Sequence, residues 1–270
     1  MGLGNMKTAV LLATYNGRRF LEAQLDSLMG QTVADFVIAI HDDGSTDGTV
    51  SLLEKYRSKF PERIEVVEGP SCGGAKENFW FLLSQVEADV YFFCDQDDVW
   101  IPEKIERQRQ VLLSFDNNTP ALVFSDMKVC DESLGTMAES FWDYIGRDAG
   151  ELRLPRVLID NPAAGTSMAF NRALRDVAVG TEFDLSGVEM HDGFLLALAL
   201  GCGTVEKMDE ALVLYRQHGE NACGAAQSES RLQRIFRNAK EVLSGRFLEK
   251  KRAFLRLSRA AAGELSKAKQ

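Results

Sequence analysis

A chain of 270 residues with 45% hydrophobic and 26% charged positions is long and apolar enough to bury a large core, which excludes disordered and collagen-like classes. Five cysteines, odd in number and nowhere spaced as CxxC, argue against a disulfide framework or a zinc site and fit a reducing cytoplasm. The net charge of −9 hides an asymmetry: residues 228–270 hold 12 Lys and Arg against 4 Asp and Glu, leaving an acidic body of 19 against 36 that excludes a surface tracking nucleic-acid phosphates.

In chain order, "KTAVLLATYNG" predicts a buried strand ended by Asn16-Gly17, and "RRFLEAQLDSLMGQ" a helix with Phe20, Leu21, Leu25 and Leu28 on one face. Residues 1–17 carry their apolar residues only in the short run of that strand, which does not read as a signal peptide, and no apolar run is long enough to span a bilayer. "DFVIAIHDDGSTDGTVSLLEKYRSKF" repeats the unit, with a strand over 36–41, a polar turn and a helix from about Thr46 or Asp47. "RIEVVEG" predicts a third strand, "GGAKENFWFLLSQV" a third helix and "ADVYFFCDQDD" a fourth strand, with Pro102 placed for the first turn of the helix "EKIERQRQVLLSF". The alternation implies an α/β fold, a mainly parallel sheet with helices on both faces.

The second half is less regular. "ALVFSDMKVCDESLG" reads as a strand entering a turn, "AAGTSMAFNRALRDV" as a strand turning into a helix, and "HDGFLLALALGCG" as a helix closed by Gly201 or Gly203. "GTVEKMDEALVLYRQHGEN" is expected to form a strand pair followed by a polar loop, and residues 228–270 two helices broken at Ser244-Gly245.

Ligands of an open α/β sheet sit where the strands end at their C-termini. Asp42-Asp43 end the second strand and Asp95-Asp97-Asp98 the fourth, so the fold should bring five carboxylates to one edge. Such a cluster raises its own pKa values unless a cation or polar ligand is present, and oxygen ligation suits Mg2+ or Mn2+. The plain alternative is helix capping, which fits Asp47 or Asp98 taken alone. Asp95 with Asp97 is different, because residues two apart on an extended strand point the same way and one helix needs only one cap.

"LLATYNG", "HDDGSTDGT", "DQDDVWIPEK" and "HDGFLLALALG" stand in the order and approximate spacing of inverting family 2 glycosyltransferases. With "YRQHGEN", the chain most resembles a rhamnosyltransferase-like branch of bacterial surface-polysaccharide synthesis, over about residues 7–222. The resemblance implies a GT-A (Rossmann-like) mixed, mainly parallel sheet flanked by helices. Residues 1–227 would form the catalytic domain, with a donor half of about 1–115 and an acceptor half of about 116–227; residues 228–270 would be a basic amphipathic helical extension.

Carried over, the resemblance places Thr14 and Asn16 in the nucleotide pocket, Asp43 on the pyrimidine base and Asp42 as a brace of the turn. Asp95 and Asp97 match the DxD motif, with Asp97 as metal ligand and Asp95 nearer the ribose or a metal-bound water. His218 would be a further ligand to Mn2+ or Mg2+, and Arg216 would meet the diphosphate. Lys76 and Asn78 either face the nucleotide or form a solvated helix end.

Asp192, before an apolar helix, matches the base that takes the acceptor proton, although the same position is an ordinary helix start. His191 departs from the acidic residue common in relatives, and with Gly165 and Thr166 it is expected at the acceptor. The function implied is metal-dependent inverting transfer of a sugar, rhamnose by resemblance, from a dTDP- or UDP-sugar to a glycan or polyprenyl-linked saccharide. The enzyme would be cytoplasmic, with peripheral membrane contact through residues 228–270. The alternatives are a sugar-nucleotide-forming nucleotidyltransferase, which "ATYNGRRF" supports poorly for want of a Gly-rich basic loop, and a non-catalytic metal-binding regulator, which leaves "DQDDVW", "HDG" and "RQHG" unexplained.

Overall fold

The computed structural model describes residues 6–219, apart from 148, 151, 159 and 181–189, together with Asn221. The expected helices of 228–270 lie outside the described residues. Strand β1 (Thr8–Thr14) is buried along its whole length, as a run without polar alternation requires when both sheet faces are covered. Helix α1 (Arg18–Met29) follows and buries Phe20, Leu21, Leu25 and Leu28. The βα rhythm continues through β2 (Val37–Asp42), α2 (Thr49–Lys59), β3 (Ile64–Val66), α3 (Ala75–Gln85) and β4 (Val90–Cys94). β1, β2, β3 and β4 are parallel, in the order β3-β2-β1-β4.

A two-residue strand, β5 (Val99–Trp100), leads to α4 (Lys104–Leu112), whose N-cap is Glu103, one residue after Pro102. Then come β6 (Ala121–Cys130), β7 (Thr136–Ala138), short helices α5 (Phe141–Ile145) and α6 (Leu154–Val157), a 3-10 turn Gly165–Ser167, β8 (Met168–Asn171), α7 (Arg172–Gly180), α8 (His191–Cys202) and β9 (Thr204–Arg216). β8 runs antiparallel to both β4 and β6, and β9 runs parallel to β6, completing a mixed sheet in the order β3-β2-β1-β4-β8-β6-β9-β5, with β7 on β6. The C-terminal ends of β1, β2, β4, β6 and β9 therefore share one rim, and the 3-10 turn before β8 opens on that rim too.

The expected strand pair over 204–216 is one strand. Its partner in register changes from Ser125↔Met208 to Asp126↔Ala211, so Asp209 and Glu210 are bulged out of the ladder instead of making a turn. The start of β9 is fixed by Gly203, where a Cβ would lie 2.0 Å from the Pro120 carbonyl oxygen; Thr204 N donates to that oxygen at 2.8 Å. Helix α8 is apolar all round and buries every residue from Phe194 to Ala199, as a helix covered on several sides must. Among the described residues no helix is long and apolar enough to cross a membrane.

Candidate active site

At the C-terminal ends of β1 and β2, Asp42 holds the turn after β2. It accepts from Thr14 Oγ1 at 2.8 Å, Ser45 N at 2.8 Å and Ser45 Oγ at 2.6 Å. Asn16, left-handed at φ 46°, accepts from Thr46 N at 2.8 Å and donates its own N–H to Ser45 Oγ at 2.7 Å, tying the β1 loop to the same turn. Between them Tyr15 stands 56% exposed, an aromatic face at the end of β1 that no sequence motif singled out.

Asp43 is more committed than expected. Its carboxylate accepts from Ser71 Oγ at 2.9 Å, from Cys72 N, from Gly73 N at 3.0 Å and from Gly74 N at 3.0 Å. Burial alone would raise its pKa, but these bonds carry it below the ordinary value. Its lone pairs are thus spent on shaping the 71–74 loop. Asn78 is not a solvated helix end: it is buried, pairing with His41 Nδ1 at 2.9 Å and donating to the His41 carbonyl at 3.3 Å. Lys76 lies 3.0 Å from the Glu77 carboxylate.

The acidic loop after β4 is held from three sides. Gln96 exchanges two 2.9 Å bonds with the backbone of Tyr15. Asp97 Oδ2 meets His218 Nε2 at 2.8 Å and Asn221 Nδ2 at 3.3 Å, so the loop after β9 reaches the DxD segment. Asp98 is fully buried and accepts from Arg216 N at 3.0 Å; with Glu103 at the N-cap of α4, it is not the helix cap that the sequence allowed. Arg216 is 5% exposed. Its Nε donates to the Asp97 carbonyl at 2.7 Å and its guanidinium lies 4.8 Å from the Phe20 ring centroid, which makes it a brace of the acidic loop instead of an open diphosphate contact. Beneath, Lys104 is fully buried, 4.3 Å from the Trp100 ring, and burial lowers its pKa to about 7; the lysine of "WIPEK" was its only signal in the sequence.

Across the rim stands Asp192, in the first turn of α8. Burial raises its pKa to about 6, while N–H groups of Gly193 and Gly165 and the charge of Arg147 work in the opposite direction. Desolvation, and after it the charges of Asp97 and Asp192, raise the half-buried Asp95 carboxyl to about 8. The expected acceptor contacts are placed deeper than the cleft. His191 is 4% exposed, packed 4.3 Å from Phe79 and 4.8 Å from Phe93 (ring centroids), with both ring nitrogens lacking partners among the described residues; burial pushes its pKa down to about 3, so the ring is neutral. Thr166 is 0% exposed and accepts from Trp100 Nε1 at 3.2 Å. Both support the site from below.

The donor set fits a hard divalent cation: Asp95 and Asp97 carboxylates crowd together, and a cation would relieve their repulsion. Among the described residues no three acidic, His or Cys side chains make a ready cage. Mg2+ and its kin bind through one or two carboxylates plus substrate phosphates, so none is needed.

A curled mixed sheet with its acidic loop and a second carboxylate on one rim is the arrangement of a GT-A glycosyltransferase. Residues 9–175 match Glycosyl transferase family 2, and the chain belongs to that family. It is 28% identical over 226 residues to the dTDP-rhamnosyl transferase RfbG of Shigella flexneri, covering 79% of this chain and 74% of that one. TarS of Staphylococcus aureus, a poly(ribitol-phosphate) beta-N-acetylglucosaminyltransferase, is 35% identical over 95 residues, covering 34% of this chain and 16% of TarS. The structure of TarS residues 1–349 with UDP superposes with a TM-score of 0.59 at 22% identity, over 78% of this chain and 60% of that one. A mannosyltransferase from Pyrobaculum calidifontis with GDP-Man and Mn2+ gives a TM-score of 0.55 at 16% identity, over 97% and 75%. These likenesses establish the GT-A fold and a glycosyltransferase.

Proposed function

We propose that the chain transfers one sugar, with inversion at the anomeric carbon, from a dTDP- or UDP-sugar to a hydroxyl of a surface-glycan or polyprenyl-linked saccharide, using Mn2+ or Mg2+. The observation that carries this reading is the placement of Asp192, with a pKa raised to about 6, on the same rim as Asp95 and Asp97. A carboxyl near 6 is ionised at neutral pH yet more basic than an ordinary aspartate, as a general base should be. Its proton would come from the acceptor hydroxyl. The acceptor oxygen bonds to the anomeric carbon as the bond from that carbon to the diphosphate breaks, the electron pair leaving with the diphosphate.

Asp97 and His218 would hold the cation, with Asp95 beside them, and when bound it supplies charge neutralisation to the departing diphosphate. Thr14, Asn16 and the Asp43-shaped loop would form the nucleotide wall, with Tyr15 offering a stacking face. The rhamnosyl preference follows from the likeness to RfbG alone. The 12 basic residues of 228–270 favour contact with an anionic membrane surface, near a lipid-linked acceptor.

The test is a donor screen that reads nucleoside diphosphate release from dTDP-rhamnose, UDP-GlcNAc and UDP-glucose with Mn2+ or Mg2+. Release from a thymidine or uridine donor that stops with EDTA supports the reading. Turnover unaffected by EDTA removes the metal from it, and release from none of the donors overturns the donor class.

A further inference from the structure

Every residue of the 3-10 turn Gly165–Ser167 is buried, and each is held by a different neighbour. The Ser167 carbonyl accepts from Gln108 Nε2 of α4 at 2.7 Å, and its hydroxyl donates to the Ala164 carbonyl at 2.7 Å. Thr166 Oγ1 accepts from Trp100 Nε1 at 3.2 Å and lies against the Asp98 carboxyl, the same group that takes the Arg216 N–H at the root of the His218 loop. Burial raises the Asp192 pKa and the Gly165 N–H works against that rise, while Gly165 itself packs on the side chain of His191, the residue before Asp192. There the turn meets a wall: a Cβ on Gly165 would stand 2.7 Å from His191 Nε2, and that ring is itself packed in a triangle with Phe79 and Phe93, whose centroids are 5.1 Å apart.

We propose that this turn is the positioning element for Asp192, with Thr166 as the positioning residue that ties it to the acidic loop and His191 as its backstop. The inference rests on Asp192 being the base of the proposed transfer. Two features of the sequence then acquire a reason. Glycine at 165 lets the turn approach the Nε2 edge of the imidazole, and a neutral His191 with no partner among the described residues offers a rigid surface in a place where a charged acidic residue would need a partner of its own. The path also links the two halves of the reaction. The loop that carries Asp97 and the turn that orients Asp192 meet at Asp98 and Thr166, so donor and acceptor groups are set in one frame.

A purely structural buried threonine predicts a different result from a positioning one. The experiment uses the full chain and measures nucleoside diphosphate release from whichever of dTDP-rhamnose and UDP-GlcNAc it turns over faster, with free dTDP or UDP binding measured alongside. Thr166→Val keeps the shape and removes the hydroxyl. Displacement of a reacting group by about an ångström costs on the order of 10²-fold, so kcat should fall by ~10- to 100-fold while KM and nucleotide affinity stay within about twofold. Thr166→Ser, which restores the hydroxyl, should recover most of kcat. On an Asp192→Asn background, Thr166→Val should cost nothing further, because the group it positions is already disabled.

Multiplying losses in the double variant, an unchanged kcat in Thr166→Val, or an equal fall in nucleotide affinity would each overturn the positioning role. Should Thr166→Val not fold, the Ser variant and Gly165→Ala, each measured with and without Asp192→Asn, carry the same test. Full activity in Asp192→Asn alone would remove the base and the inference with it, and is distinguished from failure of Thr166 by that single variant.

Discussion

Asp192→Asn separates what the fold prefers from what the reaction needs. The carboxyl is partly buried and its pKa is raised from the ordinary 3.8 to about 6, with burial as the leading cause. The folded protein therefore binds this proton more tightly than the unfolded chain. The ionisation penalty is absent below about pH 4, grows between 4 and 6, and is constant above. Two pKa units correspond to ~3 kcal/mol at full burial, and partial exposure trims this to about 1–3 kcal/mol. Asparagine keeps the shape and an oxygen for the Gly193 N–H, carries no charge and cannot take a proton. The variant should melt several degrees higher than the parent at pH 8, at ~2–4 °C per kcal/mol for a domain of this size, and the gain should vanish near pH 4. At the same time kcat should fall ~10²-fold or more with nucleotide affinity intact. Paired melting curves at the two pH values, with release rates at pH 8, make the measurement. A melting point that drops at pH 8, or a gain that is equal at pH 4, would refute the assignment of a desolvated, ionised base.

Asp97→Ala should remove detectable transfer and its EDTA-sensitive component with a melting point within a few degrees of the parent, because the carboxylate meets His218 and Asn221 at the rim and no part of the core; near-normal turnover would sink the ligand role. One base and direct attack imply an inverted product, which anomeric coupling in NMR reads at once, and a retained configuration would overturn the mechanism. Gly203→Ala should destabilise by about 1–3 kcal/mol, since the new methyl meets a backbone oxygen 2.0 Å away that cannot rotate aside; chemical denaturation checks it, and an unchanged midpoint would show that β9 can shift its start.

β1, β2 and β4 were legible because each is an apolar run with a turn signal behind it, and a parallel sheet buried on both faces demands that pattern; β3, with Glu65 exposed between Ile64 and Val66, is the short edge of that sheet. β9 was misread as two strands because Asp209 and Glu210 look like turn residues, whereas the ladder accommodates them as a bulge opposite β6. Sequence could place carboxylates at strand ends, since that follows from the βα rhythm alone. It could not say which of them face the cleft. Asp43 is consumed by N–H groups of a loop some thirty residues away, Arg216 turns back on Asp97, and Thr166 and His191 go under the site, all through contacts between distant segments. Lys104 escaped notice for the same reason, because its burial depends on aromatic rings from β4 and β5.

Gln96, between the two carboxylates of the DxD segment, has a consequence of its own for motion. Gln96 lends its side-chain amide to both the N–H and the carbonyl of Tyr15, so beyond the last backbone pair of β1 and β4 the sheet is extended by a rung made from a side chain. A backbone rung can be undone only by unzipping strands, but a rung of this kind is released by rotamer changes, which side chains make in picoseconds to nanoseconds when unhindered. The acidic loop is thus fastened to the loop after β1 by a side-chain latch. In the donor site proposed above, unhooking that one amide would free the acidic loop while β1 and β4 stay paired.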